Sequence, residues 1–415
     1  MRPWPSYSTD PRDSRWVARA RLGSRLGGRR RRRLIATGAI AVLIISMMTT
    51  IGGASTPAYA DTVIDGCTIV PQPTARNFTN CPGDDLSLAS LPGIDLAFAD
   101  LSGANLAGAN LGSATLRRAN LVNANLSGVF VGGRYYEFTN LTGADLRLAD
   151  LVGADLNGAT LTGSRLNRAQ MNSANLSGAY LNTAILSGAD LTDADLNGAT
   201  LTGSRLNRAQ MESADLATAN LTGANLSRAD LTGATLAYVS SGGVTGRPSA
   251  LPPGWLVRYG YLIGPGANLT DANLTGTDLN GDDLSHAYLT DANLTDADLT
   301  GASLTGVVSG GIFGTPAALP ADWRLVNGYL VGPGAVLIYA GLGGTDLTGA
   351  DLAGANITSA NLRDANLTDA DLAAAEVAGG GFPQANFTGA TWSNTTCPDG
   401  TNSDNDGGTC INNLG

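Results

Sequence analysis

A leucine recurs at every fifth residue over most of this chain, and that spacing excludes most folds. Leu96, Leu101, Leu106, Leu111, Leu116, Leu121 and Leu126 are each five apart. The phase runs from Leu86 to Leu236 (31 positions, nearly all Leu), from Leu269 to Leu304 (eight) and from Leu337 to Trp392 (twelve). A helix would spread these leucines around its circumference, and a flat strand would send every second one to the wrong face. A chain that bends once per repeat puts all of them inside, and such a coil grows by stacking turn on turn.

Two duplications set the number of repeats per turn. Residues 154–171 recur unchanged at 194–211, an offset of 40. Leu236 and Leu269 are separated by the same interval as Leu304 and Leu337: one ordinary step plus an insert, equal in length in the two places. Trp255 and Trp323, at matching places in the inserts, lie 68 apart, which is one insert plus eight repeats. Both duplications therefore carry eight repeats. Copying whole turns keeps each residue on its side of the coil, which makes two turns of four the natural division. About 13 turns stacked at ~4.8 Å give a rod roughly 60 Å long.

The chain of 415 residues has 55 Gly, four Cys, a single His (His286) and no Lys. A lone histidine without a Cys/His cluster argues against a zinc site and against His-based acid–base chemistry, so no catalytic residue and no cofactor is assigned. Aromatic residues at 6% are too few for a nucleic-acid platform. The net charge of −10 divides unevenly. Residues 1–60 carry eleven Arg against Asp10 and Asp13, and residues 61–415 carry fourteen Arg against 33 acids, so a +9 leader precedes a −19 body. Arg29 to Arg33, the apolar run Leu34 to Ile51 and then Ala58-Tyr59-Ala60 stand in the order of a secretory signal peptide cleaved after Ala60. The competing reading keeps the apolar run as a membrane anchor. Either way, membrane contact is expected only through this segment.

Repeats such as Ala104-Asn105-Leu106-Ala107-Gly108 follow the pattern A(D/N)LxG and resemble the pentapeptide repeat family over residues 85–392. The resemblance implies an all-β fold: a right-handed quadrilateral parallel β-helix with four pentapeptides per coil. Leu and the Ala two before it would point inward, and Asp, Asn, Ser and Thr outward. Each buried Leu would contribute about 1.5–3 kcal/mol. The expected organisation is a leader (1–60), an N-terminal cap (61–84), repeat blocks at 85–236, 269–304 and 337–392 separated by inserts 237–268 and 305–336, and a C-terminal cap (393–415).

Solenoid ends expose a core and unpaired edges, so they need caps. Cys67 and Cys81 precede the first coil, and Cys397 and Cys410 follow the last. The rod separates the two pairs, which leaves Cys67–Cys81 and Cys397–Cys410 as the expected disulfides, and an oxidising compartment as their setting. Between the last two, Asn402-x-Asp404-x-Asp406-Gly407 resembles the start of a calcium loop, but Asn413 stands where such a loop ends in Glu. A solvated disulfide turn is the competing reading.

The two inserts are copies of one module. Asn327-Gly328 between apolar runs signals a hairpin turn, with Tyr259-Gly260 at the matching place. Each insert is therefore expected to leave the coil as a loop and hairpin, both from the same side, two turns apart. Trp255, Arg258, Tyr259, Trp323 and Arg324 would form a paired binding surface, or the two Trp would pack against the rod and tether the hairpins. A second candidate surface comes from counting in steps of twenty. Arg147, Arg165, Arg168, Arg205, Arg208 and Arg228 fall on one side, with Asp150, Asp190 and Asp230 on the next and Asp155, Asp195 and Asp215 on the one after. Such a stripe can bind an acidic polymer or simply balance stacked carboxylates.

These features point to a secreted, non-enzymatic structural or interaction rod at the cell envelope or outside the cell, with a protein or an anionic envelope polymer as partner and no nucleic acid. The family resemblance implies an alternative, a cytoplasmic DNA mimic that binds gyrase or another type II topoisomerase. A calcium-stabilised extracellular binding module is the third reading.

Overall fold

The computed structural model describes residues 62–64, 66–131, 135–378 and 384–413, and the leader with its expected cleavage site after Ala60 lies outside them. Each repeat makes the same small set of backbone bonds. In Leu106-Ala107-Gly108-Ala109 the Ala109 N–H donates to the Leu106 carbonyl at 3.0 Å, and Gly108 takes φ +67°. That is a turn with a left-handed third residue, the conformation that favours glycine. The repeats also bond upward and downward: Leu86 N–H donates to Asn105 O at 2.7 Å, and Asn105 N–H to Asp84 O at 2.9 Å. Asp85 pairs in parallel with Asn105, Asn105 with Asn125, and so on in steps of 20, so four repeats close one turn. The outward Asp and Asn extend this ladder with their side chains. Asn105 Nδ2 donates to Asp85 Oδ1 at 2.9 Å, and Asn125 Nδ2 to Asn105 Oδ1 at 3.0 Å. The inward Leu and Ala are essentially inaccessible, as Leu106 and Ala104 illustrate at 0% exposure each.

Two excursions break the stack without breaking the five-residue phase. Strands β3 (Val129–Val131) and β4 (Tyr135–Glu137), which follow the N-terminal pair β1 (Thr62–Ile64) and β2 (Cys67–Ile69), form an antiparallel hairpin. Asn110 consequently pairs with Asn140, two repeats beyond its regular partner position. Near the C-terminus Asn361 pairs with Asn386, one repeat beyond. Both detours are whole numbers of repeats, so the count of leucine positions passes over them.

The inserts are not simple appendages. Thr245 and Ala250 still pair with Asn225 and Asp230, and Ser240 then pairs with Asn268. The step from Ser240 to Asn268 is thus one full turn of 20 lengthened by eight, and those eight form a hairpin: β5 (Leu256–Arg258) and β6 (Tyr261–Ile263). The second copy has β7 (Arg324–Val326) and β8 (Tyr329–Val331). Tyr259 and Gly260 (φ +48° and +83°), like Asn327 and Gly328 (φ +48° and +79°), take the two left-handed positions of a type I′ turn. The stretch from Trp255 to Trp323 spans three steps of the ladder, 240 to 268 to 288 to 308, rather than two.

Instead of leaving the coil, each hairpin lies across it. The Gly260 carbonyl accepts from Val244 N–H at 2.9 Å, so the hairpin tip rests on the coil below. Val257 and Leu262 pack into the core beneath, which runs from Cys67 to Val244; Leu256 and Ile263 pack into the core above, which ends at Ile312 and Leu330. The second hairpin repeats this, with Leu325 and Leu330 facing down and Val326 and Val331 facing up into a third core that ends at Cys397 and Cys410. Each hairpin carries buried apolar residues on both faces, which a projecting hairpin would expose to water. The described residues therefore enclose three stacked cores divided by two septa. Among the described residues one ladder crosses both septa, from Ser90 through Ser240, Asn268, Val308 and Val336 to Glu376, while the other three are interrupted at each.

Disulfides close the two ends, as expected. Cys67 pairs with Cys81 (Cα–Cα 5.4 Å) and Cys397 with Cys410 (5.3 Å), and all four side chains are buried at the ends of the first and third cores. No helix among the described residues is long and apolar enough to cross a membrane.

Candidate binding face

The arginines gather on one ladder, in the order Asp95, Thr115, Asp145, Arg165, Ile185, Arg205, Asn225 and Thr245. Arg165 and Arg205 occupy the bridging position itself. Arg168, Arg208 and Arg228 sit two residues after the inward leucine at φ +55°, +60° and +59°, the tip of the turn, so their side chains stand at the corner of the coil. Arg117, Arg118, Arg147 and Arg247 belong to the same side, which thus holds nine of the fourteen arginines after residue 60. Counting in steps of twenty misses Arg117 and Arg118 because the β3–β4 detour shifts the register by half a turn.

The lower part of this side carries two acids, Asp95 and Asp145, beside its three arginines, and the upper part carries none. Arg147 Nε donates to Asp145 Oδ1 at 2.7 Å, and that bond, ahead of any other influence, holds the Asp145 carboxyl below the ordinary carboxylate range. From 165 to 249 the side's five segments carry six arginines and no acid. Among the described residues none of Arg165, Arg168, Arg205, Arg208, Arg228 and Arg247 has a carboxylate within 4.0 Å. Arg205, Asn207, Arg208, Asn225, Ser227 and Arg228 line an open groove there. The next two ladders carry the acids: Asp150, Gln170, Asp190, Gln210 and Asp230, then Asp155, Asn175, Asp195 and Asp215.

The insert residues do not form one paired surface. Each Trp straddles a septum, Trp255 touching the first and second cores and Trp323 the second and third. The Trp255 indole lies so close over Gly264, and that of Trp323 over Gly332, that a Cβ on either glycine would overlap the ring. Arg258 points up from its septum, its Nε 3.7 Å from Asp282 Oδ2. Asp282 occupies an inward position where the repeat normally has Ala; it is 7% exposed, and burial raises its pKa against the opposing pull of Arg258. Its place two residues before Leu284 makes it readable from the sequence. Arg324 donates to the carbonyls of Thr348 and Gly349 at 2.9 Å each, and Tyr259, at the hairpin tip, is 64% exposed.

In the C-terminal loop, Asn402 and Asp404 serve the turn. Asn402 caps the short 3₁₀ turn Ser403–Asn405 by accepting from Asp404 N–H, and Asp404 Oδ1 accepts from Asn394 N–H at 2.9 Å. Asp406 Oδ2 is buried without a hydrogen-bond partner. Among the described residues the one group of three Cys, His or acidic donors drawn close enough to share a metal is Cys67, Cys81 and Asp84, and its two thiols are spent on a disulfide.

The model of the family described as Pentapeptide repeats matches in eight copies, over residues 89–130, 137–168, 169–208, 209–239, 267–306 and 335–373, which together exceed half of the chain. Among solved structures, HetL, a pentapeptide repeat protein involved in heterocyst differentiation regulation in the cyanobacterium Nostoc sp. strain PCC 7120, is 33% identical over 57% of this chain and 89% of its own, with a TM-score of 0.29. QnrB1, a plasmid-mediated fluoroquinolone resistance protein, is 15% identical over 55% of this chain and 90% of its own, with a TM-score of 0.27. A pentapeptide repeat protein from the Arabidopsis thaliana thylakoid lumen is 29% identical over 28% of this chain and 70% of its own, at 0.19. No curated protein sequence matches significantly. With its repeats, its ladders in steps of 20 and this match, the chain belongs to the pentapeptide repeat family.

Proposed function

We propose that the chain is an exported, non-enzymatic interaction rod that binds an anionic polymer of the cell envelope or its surroundings along the Asp95 ladder. We read the solenoid as right-handed and quadrilateral with about 13 coils, in line with its family. The observation that carries the binding reading is the run of six arginines from Arg165 to Arg247, in five segments that hold no acid and with no carboxylate within 4.0 Å among the described residues. Charge balance within a −19 body would place those arginines in ion pairs with the neighbouring acidic ladders. An unpaired row of guanidinium forks suits repeating carboxylates or phosphates. The two end disulfides support an oxidising setting.

The alternative, a DNA-like rod that binds gyrase or topoisomerase, calls for an acidic surface in a reducing cytoplasm, and both the arginine side and the disulfides weigh against it. The test has two parts. Fractionation with N-terminal sequencing should give a chain starting at Asp61 outside the cytoplasm, whereas an intact cytosolic chain returns the gyrase reading. The purified body should be retained on immobilised polyanions and released by salt, with retention lost in the triple variant Arg205→Ser, Arg208→Ser, Arg228→Ser. A wild-type protein that passes through unretained sinks the reading.

A further inference from the structure

We infer that the cleft beside Trp255 is a sugar-binding subsite at the end of the arginine row, and that the polymer is therefore an acidic polysaccharide. This rests on the polyanion reading above. The cleft lies between the coil segment Gly246–Leu251 and strand β5, with a volume of about 650 Å³, and its lining includes Arg247, Ser249, Trp255 and Arg258. That volume is in the range of small-ligand sites, roughly 300–1,000 Å³. Arg247 is the last member of the row, one ladder step beyond Arg228, whose N–H donates to the Arg247 carbonyl at 2.7 Å. A chain lying along the row therefore runs directly into the cleft.

The chemistry at this end differs from that along the row. The row offers charge alone, which any polyanion satisfies. The cleft adds a half-buried indole fixed in place over Gly264, a rigid apolar plate of the kind that takes the apolar face of a ring. It adds the Ser249 hydroxyl, which donates to the Ala229 carbonyl at 2.8 Å and keeps its lone pairs to accept, and the Arg258 side chain, 42% exposed although its Nε is buried facing Asp282. An aromatic plate and two arginines in one lining fit a sugar ring carrying a carboxylate. A polyphosphate has no ring to place there.

The second copy of the module provides the contrast. Trp323 repeats Trp255 and Gly332 repeats Gly264, so the plate and its support are kept. The polar lining is not: Thr315, Ala317 and Val326 stand where the first copy has Arg247, Ser249 and Arg258. The septum needs none of those three polar groups to fold, since the second copy forms the same hairpin without them.

The test is calorimetric titration of the exported body with three probes: a short oligogalacturonate, a neutral oligosaccharide of equal length, and inorganic polyphosphate. Oligogalacturonate and polyphosphate should bind and the neutral sugar should not. Trp255→Ala should weaken oligogalacturonate about tenfold or more while leaving polyphosphate unchanged. Because Trp255 also packs the septum, Ser249→Ala with Arg258→Val and Asp282→Ala is the second variant, which leaves the row whole and is built from residues that already fold at 317, 326 and 350; it should weaken oligogalacturonate selectively, and Trp323→Ala should not. Variants that weaken both polyanions equally, or neither, overturn the subsite and leave the arginine row standing. A wild type that binds no polyanion removes the row and the subsite together.

Discussion

Leu262 and Ile263 are neighbours in one short strand, both fully buried, and they close two different cores. That relationship is possible only because β6 is a partition, with one residue facing down and the next facing up. It predicts that Leu262→Ala and Ile263→Ala each cost about 2–5 kcal/mol, the usual penalty for a cavity in a packed core. A hairpin projecting from the rod would spare at least one of them. Chemical denaturation of the two single variants checks this, and the matching pair Leu330 and Val331 should behave alike.

Acid and base should act on this rod in opposite senses at different carboxylates. Hydrogen bonds hold the Asp145, Asp298 and Asp346 carboxyls below their ordinary value, chiefly from Arg147, Thr300 and Thr348. Their contribution to stability is present above the unfolded-state pKa and is lost as pH falls through the folded one. Asp282 is the reverse: burial raises its pKa, so its contribution is full below the unfolded value and disappears as pH rises through the folded one. Once ionised, it is a buried charge with an imperfect partner. The double variant Asp282→Ala, Arg258→Val installs the residues found at Ala350 and Val326 in the second module. Its stability at pH 7 should equal or exceed that of wild type, by up to about 4 kcal/mol. The advantage should shrink in acid, as melting curves across pH would record.

The inward positions were legible in the sequence because a five-residue period can bury one Leu and one small residue per repeat in only one way. The sides of the coil were legible only between detours. Arg165 and Arg205 share a ladder at two regular steps of twenty, but Arg117 joins it across the longer step from Thr115 to Asp145. A detour of whole repeats leaves the leucine phase untouched, so nothing in that phase announces it. The septa had a signal of their own: Leu256-Val257 and Leu262-Ile263 are apolar on both faces of a hairpin, which only a doubly covered strand pair tolerates. The Arg258–Asp282 contact was hidden because it joins residues whose relative height depends on that partition.

The C-terminal loop should be held by its disulfide and not by an ion. Asn402 and Asp404 already use their side chains on the turn, and Asn413 stands in place of a terminal Glu. Closing a loop of this size, with a sequence separation of 13 between the cysteines, is worth about 3 kcal/mol in the chain-entropy description. Cys397→Ser with Cys410→Ser, or reduction by dithiothreitol, should therefore lower the melting temperature by several degrees. Calcium after chelator dialysis should leave it unchanged; a calcium-dependent rise would instead place an ion near the unpartnered Asp406 oxygen.

The septum and the coils above it form a unit that can be removed whole. Ser241-Gly242-Gly243 and Ser309-Gly310-Gly311 occupy the same place in successive modules, and the uninterrupted ladder passes through Ser240 and Val308. Deleting residues 241–308 joins Ser240 to Ser309 with every later residue still on its own side. The first core would then be closed by Leu325 and Leu330 in place of Val257 and Leu262, apolar for apolar. Because a solenoid's stability is nearly a sum over repeats and their interfaces, the shortened rod should fold, keep both disulfides and melt cooperatively. It also loses Arg247, Ser249, Arg258 and Asp282 while keeping Arg205, Arg208 and Arg228. Polyphosphate binding should survive the deletion and oligogalacturonate binding should fall to the same level. An unfolded product would mean that the two modules are not interchangeable and that the septa carry contacts specific to their own coils.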